Sequence, residues 1–402
     1  MKDGFIRVAA ATPDIHVADP QYNSEQIIEL MEQGSTRGVK VMAFPELCLT
    51  AYTCSDLFLQ ESLLREAKKE LKRILQASKS KDMILFVGMP WMHKGKLYNV
   101  AAVLNRGRIL GIVPKKHLPN YSEFYELRHF NPGMEKVEMT DWEGVQVPMG
   151  MNLLFACRTM PELVLAAELC EDVWVPCPPS ISHALAGATV IANCSASDET
   201  TGKDQYRYNL ICGQSARLVC GYIYANAGEG ESTTDLVFGG HNIIAENGTI
   251  LKESNRYRNE IIYSEFDLER ITGERRKNTT FQTAQERSLI RVGFQIEKGE
   301  TSLTRTFPKK PFVPSDEQTR AARCEEILTI QAMGLKKRLA HTNARTAVVG
   351  ISGGLDSTLA LLVTAKAFDM LGRDKKDILA VTMPCFGTTD RTYQNACKLS
   401  RC

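Results

Sequence analysis

Short apolar runs alternate with helix-like stretches from residue 5 to about residue 266, and this alternation restricts the possible folds more than any other feature of the sequence. Three of the runs cover residues 6–11, 39–44 and 84–88. Between the second and the third, apolar residues recur at helical spacing from Leu63 to Leu75 among lysines and glutamates, which is typical of an amphipathic helix that covers a sheet. The sequence therefore predicts an α/β domain.

Two turn signals add antiparallel strand pairs to this pattern. The tripeptides at 105–107 (Asn-Arg-Gly) and 246–248 (Glu-Asn-Gly) each lie between short apolar strands. Such settings favour tight hairpin turns, because asparagine and glycine tolerate the left-handed backbone that these turns require. We expect a hairpin at each position.

A proline-rich stretch marks a domain boundary. Residues 306–314 (TFPKKPFVP) interrupt all periodicity, and proline removes backbone donors that helices and sheets need. We predict a first domain over 1–275, a linker over 276–323 and a second domain over 324–402.

The second domain shows one β-α-β pattern. Apolar residues from Leu328 to Leu339 predict a helix, followed by a buried strand over 346–351, a helix over 357–368 and a second strand over 377–383. This order predicts a parallel sheet. The remaining length is too short for a complete doubly wound domain, so we expect this domain to be truncated.

Composition excludes several classes of protein. Hydrophobic residues make up 44% of the chain and charged residues 24%, and the formal net charge is +2. These values are typical of a soluble globular protein and indicate neither a nucleic-acid nor a membrane partner. The amino terminus has no apolar signal core, which predicts a cytoplasmic protein. Cysteines and histidines lack metal-ligand spacing, so we predict no metal site.

Three segments place one reactive side chain each at the end of a predicted strand: FPEL (44–47), VPKKHLP (113–119) and AELCED (167–172). Hydrolysis of an amide needs a nucleophile, a base, an acid for the departing ammonia and donors for the oxyanion. Cys170 can attack the carboxamide, and Glu46 can move the proton to the leaving nitrogen. Lys115 can stabilise the oxyanion together with a backbone N–H near Glu171.

Cys170 differs from the other cysteines because two acidic residues, Glu171 and Asp172, follow it directly. The chain must turn there, and we expect the turn to expose the thiol. Each of the three reactive residues alone is weak support, since strand-end Glu and Lys are mostly solvated and most cysteines here have apolar neighbours. A papain-like Cys–His pair is the competing arrangement, but its local signature is absent.

The order Glu, Lys, Cys in these three segments resembles the nitrilase or carbon–nitrogen hydrolase superfamily over roughly residues 4–270. The resemblance implies a four-layer α-β-β-α sandwich and a Cys-Glu-Lys triad that needs no cofactor. Within that superfamily, PNYSEFYE (119–126) looks like the glutaminase domains of NAD synthetases.

That second resemblance implies a glutamine site. Its walls are Tyr52, Tyr121, Phe124 and Trp174. Ser197 and Lys203 meet the α-amino and α-carboxylate ends of glutamine, and Glu126 orients Lys115. The alternative is that the aromatic residues only pack in the core.

The stretch GISGGLDST (350–358) lies between the predicted strand and helix of the second domain. Its glycines allow a phosphate to approach the backbone N–H groups at the start of the helix. It is neither a Walker loop nor a dinucleotide fingerprint. It resembles the loop of ATP pyrophosphatases, which implies a Rossmann-like doubly wound domain and these ATP contacts: Ser352, Gly353, Gly354, Leu355, Asp356, Ser357 and Thr358.

GMP and asparagine synthetases share this loop, so the loop alone does not select a product. The preceding nitrilase-type domain and the stretch MPCFGTTDRT (383–392) resemble glutamine-dependent NAD synthetases. That family activates deamido-NAD with ATP and Mg²⁺, lets ammonia from glutamine displace AMP, and assembles into homo-oligomers. Two alternatives stay open: a stand-alone nitrilase-superfamily amidase and a non-enzymatic scaffold.

Overall fold

The computed structural model describes residues 4–282 and 289–401. The chain divides into two compact units, Met1–Thr306 and Phe307–Cys402.

The strands of the first unit form two sheets. In chain order they are β1 (Phe5–Ala11), β2 (Val41–Ala43), β3 (Ile84–His93), β4 (Lys96–Asn105), β5 (Arg108–Pro114), β6 (Glu138–Trp142), β7 (Val145–Met149), β8 (Leu153–Cys157), β9 (Val164–Leu169), β10 (Val190–Ser195), β11 (Gly221–Asn226), β12 (Ile243–Glu246), β13 (Thr249–Glu253), β14 (Ile261–Asp267) and β15 (Ile290–Phe294). The eight-stranded sheet has the order β14-β1-β2-β3-β4-β5-β7-β6, and the seven-stranded sheet has the order β13-β12-β11-β10-β9-β8-β15.

Among the described residues of the first unit, five α-helices accompany these sheets: α1 (Pro20–Thr36), α2 (Glu61–Ser78), α3 (Pro179–Leu185), α4 (Lys203–Leu218) and α5 (Leu268–Lys277). Short 3₁₀ helices cover Ser55–Leu59, Glu126–Arg128 and Cys170–Val173. In the part of the chain that the structure describes, no helix is both long and apolar enough to cross a bilayer.

Side-chain alternation along the strands produces four layers. On β1, Val8 and Ala10 join the core between the two sheets, whereas Ala9 and Ala11 face the layer that contains α1 and α2. On β10, Ala192 lies in the same inter-sheet core, and the outer face of that sheet packs against α3 and α4. Strands buried on both faces read as continuous apolar runs, which explains the sequence pattern.

Both predicted hairpins are present, and their turns have the backbone that the sequence indicated. Between β4 and β5, Arg106 has φ 48° and Gly107 has φ 78°. Between β12 and β13, Asn247 has φ 44° and Gly248 has φ 80°. Two consecutive positive φ angles are the mark of the tight turn that matches the twist of paired strands.

The segment 276–323, interpreted from the sequence as a linker, contains regular structure at both ends. Strand β15 pairs in parallel with β8 and so belongs to the first unit. The helix α6 (Glu317–Thr342) begins before the predicted end of the linker. Arg291 and Gly293 interrupt the apolar character of β15, which is why the sequence pattern did not reveal it.

The second unit contains α6, β16 (Ala347–Gly350), α7 (Leu355–Leu371), β17 (Ile378–Val381) and α8 (Asp390–Arg401). β16 and β17 are parallel, and α7 connects them as predicted. Strand β16 was expected to be buried, but only one of its faces is covered: Val348, on the other face, is 68% exposed. Within the described residues, its sheet has two strands, and the core of this unit lies on one face, against α6 and α7.

Candidate active site

The ends of three strands converge on one buried group of charges. Glu46 follows β2, Lys115 directly follows β5, and Cys170 directly follows β9 of the other sheet. The Lys115 ammonium donates hydrogen bonds to Glu46 Oε1 and to Glu126 Oε1, both at 2.6 Å. All four side chains are buried. The structure thus brings Glu126 to the same lysine as Glu46.

Glu46 is held by two further donors. Asn99 Nδ2 donates to Glu46 Oε1 at 2.6 Å, and the backbone N–H of Ala196 donates to Glu46 Oε2 at 3.1 Å. Asn99 was not predicted from the sequence. Its signal is an amide in the middle of the apolar strand β4, where a buried polar group needs a partner.

The charges of this group shift one another's titration. Burial alone lowers the pKa of the Lys115 ammonium, but the Glu126 and Glu46 carboxylates outweigh it and raise that pKa well above its ordinary value. Burial raises the pKa of the Glu126 carboxyl to about 7, against the opposing effect of Lys115. Lys115 is therefore the permanent positive charge of the site.

Cys170 begins the 3₁₀ helix Cys170–Val173 with a left-handed backbone, φ 37°. The chain turns there as predicted, but the expectation of an exposed thiol is wrong, because Cys170 is only 6% exposed. The polar pair that marks the turn is itself partly buried: the Asp172 side chain accepts hydrogen bonds from the Leu169 and His117 backbone N–H groups.

Asp172 is a second residue that the sequence analysis did not assign. Its carboxylate joins the turn after β9 to the segment after Lys115, accepting from His117 N at 2.9 Å and contacting His117 Nδ1 at 2.9 Å. A buried carboxylate with several donors fixes two chain segments relative to each other. The segments that carry Lys115 and Cys170 are thereby connected through His117 and Asp172.

The Cys170 thiol lies in an anionic setting. Burial raises its pKa to about 12, the Glu46 carboxylate adds to the rise, and Lys115 acts in the opposite direction. A thiol with this pKa is protonated at neutral pH, so any reaction of it as a nucleophile requires transfer of its proton to a base.

The residues implied as glutamine contacts fall into two groups. Tyr52 donates from its hydroxyl to Glu126 Oε1 at 2.8 Å and so belongs to the charge group. The Tyr121 and Phe124 rings meet edge to face at 5.9 Å, and the Tyr121 hydroxyl donates to Glu171 Oε1. Tyr121 is largely exposed, so it lies at the outer edge of this group of residues.

Lys203 connects the other aromatic residues. Its ammonium lies 5.7 Å from the ring centroids of both Phe124 and Trp174, and it forms an ion pair with Asp198. The Ser197 hydroxyl accepts from Arg207 Nη2 at 3.1 Å. The ammonium of Lys203 therefore lies near the rings of both Phe124 and Trp174. The Ser197 hydroxyl, in contrast, is hydrogen-bonded to the buried Arg207.

The second unit places the glycine-rich loop before α7. Gly353 has φ 82°, and a Cβ there would meet the Thr392 carbonyl oxygen at 2.1 Å. Ser352 and Ser357 hydroxyls lie 3.2 Å apart across the loop, and Thr358 donates to the Gly354 carbonyl at 2.9 Å. Leu355 and Asp356 are exposed at the first turn of the helix. The loop leaves the amino end of α7 open to an anion.

Two family patterns match the chain: Carbon-nitrogen hydrolase over residues 7–276 and NAD synthase over residues 327–401. A glutamine-dependent NAD(+) synthetase of Mycobacterium leprae (strain TN) is 41% identical over 408 aligned residues, covering 99% of this chain and 60% of that protein. The chain thus spans about 60% of the length of the curated relatives that it matches.

Solved structures agree in fold. A glutamine-dependent NAD(+) synthetase from Cytophaga hutchinsonii superposes with a TM-score of 0.59 at 22% identity, covering 99% of this chain and 63% of that one. An amidase from Nesterenkonia sp. gives 0.52 at 19% identity, covering 69% of this chain and 97% of that one. These similarities confirm the predicted nitrilase-like sandwich. Since the hydrolase pattern alone covers more than half of its residues, the chain belongs to the carbon–nitrogen hydrolase family.

Proposed function

We propose that the first unit hydrolyses the side-chain carboxamide of glutamine at Cys170. The observation that carries the proposal is the fully buried ammonium of Lys115 between two carboxylates, beside a thiol that needs a base. In this proposal Glu46 takes the thiol proton as the sulfur attacks the amide carbon, and then gives it to the departing nitrogen. Ammonia leaves and a γ-glutamyl thioester remains.

Water completes the reaction. It loses a proton to Glu46, attacks the thioester carbon and displaces the sulfur, which regains the proton as glutamate departs. Lys115 stabilises the oxyanion in both steps. The Cys170 N–H is already bonded to Asn193 Oδ1, so we propose that the backbone donor comes from the next residue, Glu171.

Substrate contacts follow from the same geometry. Glu126 Oε2 is buried and has no hydrogen-bond partner among the described residues, which leaves an acceptor for the carboxamide N–H. Lys203, between Phe124 and Trp174, is proposed to meet the α-carboxylate. Ser197 is proposed to meet the α-amino group, and Tyr52 and Tyr121 complete the walls.

For the second unit we propose ATP binding at residues 352–358 and use of the ammonia to amidate deamido-NAD through an adenylate. The open amino end of α7 and the NAD synthase match support this. Mg²⁺ is usually bound through substrate phosphates and a few carboxylates, so we propose that Mg²⁺ enters with the ATP phosphates. Domain limits, homo-oligomer formation and cytoplasmic location stay predictions.

The test follows glutamate release and the fate of the amide nitrogen. Cys170→Ala is expected to abolish glutamate release while its circular dichroism stays unchanged. With ¹⁵N-amide glutamine, ATP, Mg²⁺ and deamido-NAD, a protein that carries this chain and has the full length of its relatives is expected to place the label in NAD. The Cys170→Ala variant is expected to make NAD only from added ammonium. Glutamate release without any label transfer would favour the alternative, a stand-alone amidase.

A further inference from the structure

The buried turn at Cys170 has a backbone that a side chain other than glycine adopts reluctantly. Its φ of 37° lies in the left-handed region, where Cβ crowds the carbonyl oxygen. Non-glycine residues persist there when their surroundings fix them. The contacts of the Cys170 backbone must therefore hold this turn in its left-handed conformation.

One of those contacts is a side chain on the neighbouring strand. Asn193 of β10 accepts a hydrogen bond from the Cys170 N–H through Oδ1 at 3.1 Å. Because that donor is a backbone N–H, the oxygen of the carboxamide must face it, and the Nδ2 group faces away. Asn193 Nδ2 then donates to the Tyr222 hydroxyl at 3.1 Å.

The chain of contacts continues to a buried carboxylate. The Tyr222 hydroxyl donates to Glu168 Oε1, and Glu168 Oε2 accepts from the Ser180 N–H at 2.9 Å. Glu168 and Asn193 are direct partners in the register of β9 and β10. Asn193, Tyr222, Glu168 and Ser180 are all buried. A continuous chain of hydrogen bonds thus connects the Ser180 N–H, through Glu168, Tyr222 and Asn193, to the Cys170 N–H.

This chain lies in a layer that is largely apolar, although it also contains the buried pairs Ser195–Tyr224 and Gln214–Ser180. Tyr222 and Ile191 belong to the core between the seven-stranded sheet and α3 and α4. Polar groups in such a layer cost free energy unless every partner is present, and hydrophobic residues would pack there without that requirement. Packing alone gives no reason for three polar side chains that end at the nucleophile's own N–H.

We propose that Asn193 is a positioning residue, which holds the left-handed turn at Cys170 and so keeps the sulfur directed at Glu46 and Lys115. Tyr222 and Glu168 fix the orientation of its carboxamide. The inference rests on the proposed role of Cys170 as nucleophile. Without Asn193 the Cys170 N–H is buried without an acceptor, the turn relaxes and the thiol is displaced.

The test compares Asn193→Leu, Asn193→Asp and Tyr222→Phe in glutamine hydrolysis. A displacement of about 1 Å at a reacting group costs on the order of 100-fold in rate. Asn193→Leu is expected to lower kcat by about 100-fold with KM within about threefold of wild type. Asn193→Asp keeps the acceptor and is expected to recover at least about tenfold of that loss. Tyr222→Phe is expected to lower kcat about tenfold, and it serves if Asn193→Leu does not fold.

Thr189→Val is the matched control. Thr189 is buried and directly precedes β10, and its hydroxyl donates to the Glu162 carbonyl and accepts from the Val164 N–H. It bridges the same two strands without touching the turn. We expect a lower melting temperature and an unchanged kcat.

Alkylation of Cys170 by iodoacetamide separates this proposal from the proposed function, because it needs no glutamine. Asn193→Leu is expected to slow that alkylation at least about tenfold relative to the exposed Cys177. A slower alkylation in a protein that never hydrolyses glutamine would leave the positioning role standing and reject the glutaminase. Unchanged kcat and unchanged alkylation in folded Asn193→Leu, or equal losses in the Leu and Asp variants, would overturn the proposal.

Discussion

Lys115 keeps its charge without any contact with water because two carboxylates flank it. Burying one ammonium with one carboxylate would leave other hydrogen-bonding positions empty, and a buried charge without partners costs several kcal/mol. Here Glu46 and Glu126 both accept from it at 2.6 Å. Burial is the main reason why the pKa of the Cys170 thiol is raised, and the Glu46 carboxylate adds to that rise.

The Glu46 and Lys115 side chains can be tested separately. Glu46→Gln removes the proposed proton acceptor, and Lys115→Met removes the proposed oxyanion donor while keeping most of the side-chain length. Each change is expected to lower kcat for glutamine hydrolysis by about 100-fold or more. The measurement is glutamate release at saturating glutamine. A loss of less than about tenfold in either variant would exclude that residue from the mechanism.

The raised pKa of Cys170 makes a prediction about pH. With the thiol pKa near 12, the thiolate fraction grows about tenfold per pH unit at all lower pH values. The rate of iodoacetamide alkylation at Cys170, followed by peptide mass spectrometry, is expected to keep rising up to at least about pH 10. A plateau near pH 7 or 8 would show that the resting sulfur is already a thiolate.

Close packing between strand β3 and the segment after β2 holds Glu46 in place. Gly88 of β3 packs against the segment after β2: a Cβ there would lie 2.2 Å from the Pro45 carbonyl oxygen and 2.4 Å from the Leu47 nitrogen. Leu47 itself has φ 52°. The strand partner of β2 therefore shapes the loop that carries Glu46.

Gly88→Ala is expected to displace that loop. Overpacking against backbone costs about 1–3 kcal/mol, and a shifted Glu46 is expected to lower kcat at least about tenfold. Gly213→Ala is the matched control, since Gly213 lies within α4 and a Cβ there has no heavy atom within 4 Å. Alanine in a helix interior is expected to raise the unfolding free energy by up to about 1 kcal/mol and leave kcat unchanged. Equal behaviour of the two variants in denaturant unfolding and turnover would contradict this account.

The elements themselves followed from the sequence where the pattern was local. Apolar alternation predicted β1, β3 and α2, and the turn tripeptides predicted both hairpins, because each depends on neighbouring residues only. Strand β15 was missed because Arg291 and Gly293 interrupt its apolar pattern and its partner β8 is distant in sequence. Distance in sequence also explains why Asn99, Asp172 and Asn193 could not be assigned: their partners Glu46, His117 and Cys170 lie in other segments that only the fold brings close.

The whole chain comprises two units with different chemistry, each described by its own core. The first unit carries the buried charge group, and the second carries the loop at Gly353, whose φ of 82° and close approach to Thr392 exclude a side chain. The match to NAD synthase over residues 327–401 covers that loop. The proposed ATP reaction can therefore be disturbed without touching Cys170.

Gly353→Ala is expected to lower ATP-dependent NAD formation by the full-length protein at least about 100-fold. The added Cβ would collide with the Thr392 carbonyl oxygen of α8 and displace the loop that precedes the amino end of α7. Gly334→Ala in α6, where a Cβ meets nothing within 4 Å, is the control and is expected to retain activity. Normal NAD formation by a folded Gly353→Ala variant would remove this loop from the nucleotide site.

Covalent chemistry at Cys170 is the central proposal, and one measurement tests it directly. The protein is mixed with glutamine, quenched in acid during turnover and digested, and the peptide that contains Cys170 is weighed. We predict that this peptide carries the added mass of a γ-glutamyl group, that the mass disappears once glutamine is consumed, and that Cys170→Ala never shows it. Steady glutamate production by the Cys170→Ala variant, or a γ-glutamyl group on another residue in its place, would contradict the account.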